Sequence, residues 1–310
     1  MPVTPEPVFL KPRTEEFLTY CSARNLSPRT IRAYRGDLTN FVALSGGGEM
    51  TVLEIDRKLI RRFVVQMHDA GAKPRSLQRK LAAVKSFCRW LEAEGLLDAG
   101  LIESISGPRR RDELPDVPNE GEVRKLLDGE IPTASPERDR VILELLYGSG
   151  LRASELVGVN LNDFRDEDAM VVRGKGRKER FVIIGEYARA AIKAWLPIRA
   201  KLLDKFKLET SALLFSVGPK RSAERLDVRS VGRIMKAAAE GKGLDPQKWH
   251  PHLLRHACGT HMHDHEAPLQ AVATFLGHAR LSTAQIYTRV SVGRMMQTYR
   301  LAHPHARSGQ

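Results

Sequence analysis

The sequence predicts a mostly α-helical chain carrying one small β-sheet and divided into two domains, and three observations support this. Its 310 residues are about twice the ~150 expected of a single domain. Apolar residues recur at helical spacing along most of the chain, whereas only two short runs are β-prone. Between Gly107 and Gly121 the stretch GPRRRDELPDVPNEG concentrates three prolines and dense charge with few apolar residues. That composition reads as a linker. The expected organisation is a helical domain over residues 1–106, a linker over 107–118 and an α+β domain over 119–310.

In the first domain, Ser27 is an N-cap with Pro28 at the first helical position, and Ile31, Tyr34, Leu38 and Phe41 follow at helical spacing. Gly46-Gly47-Gly48 stops that helix. A second is expected from Asp56 to about Ala70, and a third from about Arg75 to Glu94 with Leu77, Leu81, Val84, Phe87 and Leu91 as its apolar stripe. With a shorter helix before Ser27, these make a compact four-helix unit. In the second domain, Ser135-Pro136 opens a helix with Val141, Leu145 and Leu146 inward. Ala169–Arg173 and Arg180–Ile184 flank Gly174-Lys175-Gly176-Arg177-Lys178 and read as a β-hairpin. Helical patterns return near residues 187–203, 228–239, 253–263, 269–276 and 294–301.

Apolar residues make up 42% of the chain, enough for a real core, which excludes a disordered or collagen-like protein. No apolar run reaches the ~18 residues of a membrane span, and the first ten residues lack the pattern of a signal peptide. Cys21, Cys88 and Cys258 are odd in number and far apart, so no disulfide framework or paired-cysteine metal site is encoded. Fifty Lys and Arg against 37 Asp and Glu give a net charge of +13. Residues 1–110 carry 18 basic and 12 acidic side chains, and residues 111–310 carry 32 and 25. Both halves are basic, as expected if both lie on one polyanion.

Five local features bear on chemistry. Arg152 follows Gly148-Ser149-Gly150-Leu151 and precedes Glu155 by one helical turn. Alone, such a pair is an ordinary surface ion pair; at a helix start it also presents an oriented guanidinium that can clamp phosphate oxygens. Lys175, in GKGRKER, lies at the tip of the expected hairpin. It is either a solvated basic turn or an ammonium delivered to a leaving oxygen. His252 and Arg255 stand one turn apart on one helix face. Six of the ten histidines fall between His250 and His265, yet no HExxH pattern or cysteine pair accompanies them, and a phosphate suits the His–Arg pair better than zinc. Gly277-His278 and Tyr287 complete the set. A tyrosine beside Ile286 is, in isolation, core.

Together these ordered boxes resemble the tyrosine site-specific recombinases of the phage integrase family, and more narrowly their Xer branch. GSGLRASELVGV, GKGRKER, HPHLLRHACGTH and FLGHARLSTAQIYTRV are similar to its catalytic boxes. LSPRTIRAYRGDLTNF and RSLQRKLAAVKSFCRWL are similar to its DNA-gripping helices. The resemblance implies a SAM-like core-binding domain and a catalytic domain closing as a C-shaped clamp on DNA. It implies Arg152, Lys175, His252, Arg255 and His278 as catalytic residues, Tyr287 as nucleophile and Glu155 as the acidic companion of Arg152. Cys258-Gly259, His265-Glu266-Ala267 and Arg289 depart from the family's usual residues, and none falls on a catalytic position.

Arg29, Arg32, Lys73, Arg75, Arg79, Arg177 and Lys178 are candidate DNA contacts. The implied partners are a double-stranded recombination site, further copies of this chain or a paralogous recombinase in a tetramer on two sites, and a septum-located DNA translocase. The expected activity is strand cleavage and religation through a 3′-phosphotyrosyl intermediate, resolving chromosome or plasmid dimers at cell division. No metal, cofactor or membrane is expected, and the expected location is the cytoplasm, on the nucleoid. A phage- or integron-type integrase, a type IB topoisomerase-like enzyme and a non-catalytic DNA-binding protein are the alternatives.

Overall fold

The computed structural model describes residues 7–102, 105, 116–174, 179–216, 224–277 and 289–307. The chain divides into two compact units, Met1–Leu114 and Pro115–Gln310.

The first unit contains α1 (Leu10–Ala23), α2 (Pro28–Leu44), α3 (Arg57–Asp69) and α4 (Pro74–Ala93). Local signals set two of the helix starts: the Ser27 hydroxyl accepts from Thr30 N–H at 3.1 Å, and the Asp56 carboxylate accepts from Leu59 N–H at 2.6 Å. Gly46 and Gly47 take φ of +113° and +84°, which a side chain would disfavour, so the chain turns sharply after α2. Phe17, Leu38, Phe41, Ile60, Phe63, Val84 and Phe87 fill the core, and the Phe41 and Phe63 rings meet edge-on at 5.2 Å. Among the described residues of this unit one carboxylate is buried. Asp37, on α2, takes an ion pair from Arg79 and another from Lys80 of α4 at 3.6 Å.

The second unit is built around α6 (Pro136–Tyr147), which is buried on nearly every side. That is why its sequence shows a broad apolar run and no clear stripe. Around it lie α5 (Glu120–Leu127), α7 (Ala153–Gly158), α8 (Glu186–Phe206), α9 (Val228–Gly241), α10 (Pro251–Asp264), α11 (Leu269–Leu276), α12 (Arg289–Ala302) and α13 (Pro304–Arg307). The two strands β1 (Ala169–Arg173) and β2 (Glu179–Ile183) pair antiparallel, with Val171 opposite Phe181 and Arg173 opposite Glu179. Trp195, Phe215, Val231, Met235 and Leu254 belong to the same apolar core as α6.

The structure differs from the sequence reading in several places. Asn119 and Glu122 form a capping box, each side chain accepting from the other's backbone N–H at 2.9 and 3.0 Å, so α5 begins right after the expected linker. Ser135 does not cap α6 with its side chain; its backbone (φ −146°, ψ 69°) departs from the usual N-cap geometry. The helix α12 extends beyond the expected 294–301, and its Met295, Tyr299 and Ala302 bury in the core of this unit. His303 stacks on Tyr299 at 4.7 Å and meets Tyr147 edge-on at 5.1 Å. No helix among the described residues is long and apolar enough to cross a membrane.

Candidate active site

Arg152 is delivered by the tight turn after α6. Gly150 in that turn has φ +58°, and a Cβ there would stand 2.6 Å from Leu276 Cδ2, so both backbone and packing demand glycine. Arg152 is the N-cap of α7. Its backbone N–H donates to Glu155 Oε2 at 2.9 Å, its Nη1 to Glu155 Oε1 at 2.7 Å and its Nη2 to the Gly277 carbonyl at 3.2 Å. The guanidinium is therefore fixed along one edge while its side chain remains 35% exposed.

Glu155 is 2% exposed and shared. Arg180 of β2 donates to it through Nη2 at 2.9 Å and Nε at 3.4 Å. Burial alone would raise this carboxyl, but hydrogen bonds and charge from Arg180, then the N–H and guanidinium of Arg152, outweigh it and pull it to about 2. Arg255, on α10, is buried and donates to the Gly150 and Leu276 carbonyls. Burial first, then the neighbouring charges of Arg152 and Arg180, lower it to about 10, against the opposing pull of Glu155. It stays cationic at neutral pH.

His252 lies near the start of α10, exposed. Partial burial lowers its pKa first, followed by the charges of His250, Arg255, His256 and Arg152. The shift favours the neutral imidazole within the field of both arginines, which suits a proton acceptor. His250 holds the helix start, its Nδ1 accepting from Leu253 N–H at 3.1 Å. Two further histidines of the 250–265 cluster have structural work. His261 bonds the Tyr147 hydroxyl at 3.0 Å and the Pro118 carbonyl at 2.9 Å, and His265 pairs with Glu120 at 2.7 Å. Among the described residues no group of three His, Cys, Asp or Glu side chains is placed to hold a metal.

The structure thus brings Arg152, Glu155, His252 and Arg255 together from α7 and α10. Lys175, Arg177, Lys178, His278 and Tyr287 lie outside the described residues. Arg29, Arg32, Lys73, Arg75 and Arg79 are exposed on or beside α2 and α4 in the first unit, and Arg79 is additionally tied to Asp37. Sequence reasoning missed Arg180. The signal was the strand alternation, which turns Arg180 inward along with Val182. With Arg180 included, two guanidiniums hold Glu155 and a third, Arg255, lies within their electrostatic field. An unbalanced, partly desolvated cationic cluster of this kind is a preorganised anion site.

Comparison with known proteins shows the family. Residues 119–294 match the phage integrase family, and residues 14–95 match the phage integrase N-terminal SAM-like domain. Tyrosine recombinase XerC of Psychromonas ingrahamii is 36% identical over 301 residues, covering 96% of this chain and 98% of the relative. XerC of Pseudomonas savastanoi pv. phaseolicola is 36% identical, covering 93% and 95%. Among solved structures, a λ integrase (75–356) dimer bound to a COC′ core site shares the fold with a TM-score of 0.68 at 15% identity, covering 91% of this chain and 100% of that one. XerH recombinase bound to a palindromic difH substrate, in its post-cleavage complex, gives a TM-score of 0.68 at 22% identity, covering 93% and 84%. The chain belongs to the phage integrase family. It is a tyrosine recombinase, an enzyme that cleaves and rejoins DNA.

Proposed function

We propose that this recombinase resolves chromosome or plasmid dimers by site-specific strand exchange, with Tyr287 as nucleophile and Arg152, Lys175, His252, Arg255 and His278 around the scissile phosphate. The observation that carries the reading is the convergence of Arg152 and Arg255 on the end of α11, with buried Glu155 joining Arg152 to Arg180. A phosphodiester gains negative charge as a nucleophile adds in line, and two fixed guanidiniums stabilise that charge while positioning the phosphorus. The Tyr287 oxygen bonds to phosphorus and its proton passes to His252. The bond from phosphorus to the 5′-oxygen breaks, and Lys175 supplies the proton that makes the leaving group a 5′-hydroxyl. His278 donates a hydrogen bond to the phosphate.

The 3′-phosphotyrosyl ester conserves the bond energy, so a 5′-hydroxyl from another strand reverses the attack without ATP. Glu155 supports the site through Arg152. Arg29, Arg32, Lys73, Arg75 and Arg79, with Arg177 and Lys178, contact the duplex. The active assembly is a tetramer on two sites, of this chain or with a paralogue, triggered by a septum-located DNA translocase. The XerC names of the relatives and a λ integrase tetramer bound to a Holliday junction (TM-score 0.68, 16% identity) support this reading.

The test uses a duplex selected from a random-sequence pool by binding to the whole protein, then nicked near the cleavage point to trap the adduct. A covalent protein–DNA band is expected, retained in EDTA and absent in Tyr287→Phe. An adduct persisting in Tyr287→Phe ends the assignment of the nucleophile. Relaxation of plasmid lacking the selected site would favour a topoisomerase, and binding without any adduct a non-catalytic protein.

A further inference from the structure

The last carbonyls of α11 are held by three different arginines. Arg180 Nη1 donates to Phe275 O at 3.0 Å, Arg255 Nη2 to Leu276 O, and Arg152 Nη2 to Gly277 O at 3.2 Å. A helix C-terminus leaves its final carbonyls without intrahelical partners and carries partial negative charge. Here that end both anchors three cations and offsets their mutual repulsion. The three come from separate segments: β2, α10 and the start of α7.

Two of these arginines are the phosphate ligands proposed above. Arg180 differs from them. Its side chain is 9% exposed, and Nε, Nη1 and Nη2 are all engaged, two on Glu155 and one on Phe275 O. Backbone packs directly against it: a Cβ on Gly277 would stand 2.5 Å from Arg180 Cδ and 2.8 Å from Nε, and Gly277 has φ +66°. With Nε, Nη1 and Nη2 all committed to Glu155 and Phe275 O, this guanidinium acts as a brace: it touches the carboxylate that holds Arg152 and the turn whose carbonyl Arg152 also grips.

We propose that Arg180 is a positioning residue for strand cleavage, clamping Glu155 to the end of α11 and thereby fixing where Arg152 stands relative to Arg255. The proposal rests on the reading of Arg152 and Arg255 as the phosphate ligands. Lysine cannot replace it, because one ammonium on a flexible stem does not span both carboxylate oxygens and a carbonyl in a planar fork. Because the displaced group would be a transition-state ligand, small misplacement is costly to rate and not to binding.

The experiment compares full-length wild type, Arg180→Lys and Arg180→Gln on the selected nicked duplex, measuring equilibrium binding, single-turnover adduct formation and thermal melting. Both variants are expected to bind within about 2-fold of wild type and to form the adduct about 100-fold more slowly. A pH series adds a readout that a purely structural role would not move. The charged groups facing Glu155 are Arg152 on α7, Arg180 on β2 and Arg255 on α10. Without Arg180, the buried carboxyl loses its strongest partner and rises, so Arg180→Gln should lose adduct rate between pH 7 and 5 where wild type does not lose it through this group. Wild-type rates in both variants overturn the proposal. So does loss of binding and folding together in both, which would make Arg180 core support only. Absence of a wild-type adduct, or its persistence in Tyr287→Phe, refutes the underlying site assignment instead.

Discussion

Asp37 in the first unit and Glu155 in the second are both buried carboxylates held by two basic side chains, and the two behave oppositely. Asp37, in the first unit, faces Arg79 and Lys80, yet its pKa is raised because burial outweighs the two cations and their hydrogen bonds. Glu155, in the second, is pulled to about 2 although burial pushes it up. The difference lies in donors. Glu155 receives two guanidinium contacts from Arg180, one from Arg152 and a backbone N–H. At Asp37 the arginine is 48% exposed and the lysine stands 3.6 Å away. Proximity of opposite charge therefore does not fix the state of a buried carboxylate; the number of oriented hydrogen bonds does. Arg79 stands half in solvent, whereas Arg152 and Arg180 are each held by several bonds.

The largest expected effect separates the tasks of the two sets of cations. Arg255→Ala should slow adduct formation by about 10²–10³ while duplex binding persists. Arg29→Ala or Arg75→Ala should instead lower affinity across all duplexes and reduce the slope of log affinity against log salt by about 1, with the saturated cleavage rate kept. If Arg255→Ala and Arg75→Ala changed rate and affinity alike, the contrast would break.

Stability comes next. Glu155→Ala leaves Arg180 buried beside a lost partner and should cost about 3–5 kcal/mol in denaturant unfolding. The pH dependence sharpens the comparison because its signs differ. Glu155 is depressed in the folded state, so it contributes about 3 kcal/mol above pH 4.5 that is lost as pH falls toward 2. Asp37 is raised, so its contribution runs the other way: stability falls as pH rises above its unfolded value of 3.8. Asp37→Asn should remove that decline, and Glu155→Gln should flatten the acid limb, as urea titrations at pH 3, 4, 5 and 6 would show.

Smaller effects follow from the backbone. Gly277→Ala should cost at least about 1–2 kcal/mol from its left-handed conformation alone, with adduct formation slowed further because the new Cβ meets Arg180. The smallest contrast is between two serines. Ser27→Ala removes a formed cap and should cost about 1 kcal/mol, while Ser135→Ala, where no side-chain cap exists, should stay within about 0.5 kcal/mol in the same melting experiment.

Much of this molecule was legible from local signals. Ser27-Pro28 and Asp56 marked helix starts, the stripe from Leu77 to Leu91 marked α4, and two β-prone runs around GKGRKER marked the hairpin. The site was legible as residue types in ordered boxes, Arg152 and Glu155 in one, His252 and Arg255 in another. Arg180 was not legible as part of it. Its partners are 25 and 95 residues away, at Glu155 and Phe275, and strand alternation reports only that it turns inward, not what it meets. The packing of α12 on its own core was hidden for the same reason.

The sequence by itself determined which side chains were available and where helices begin, because caps, prolines and 3.6-residue periodicity act within a turn or two. Tertiary structure alone decided that one helix end would gather Arg152, Arg180 and Arg255 on three neighbouring carbonyls. Unpaired backbone oxygens at a helix terminus attract cations from any part of the chain that folding brings near, and only the folded packing says which ones arrive.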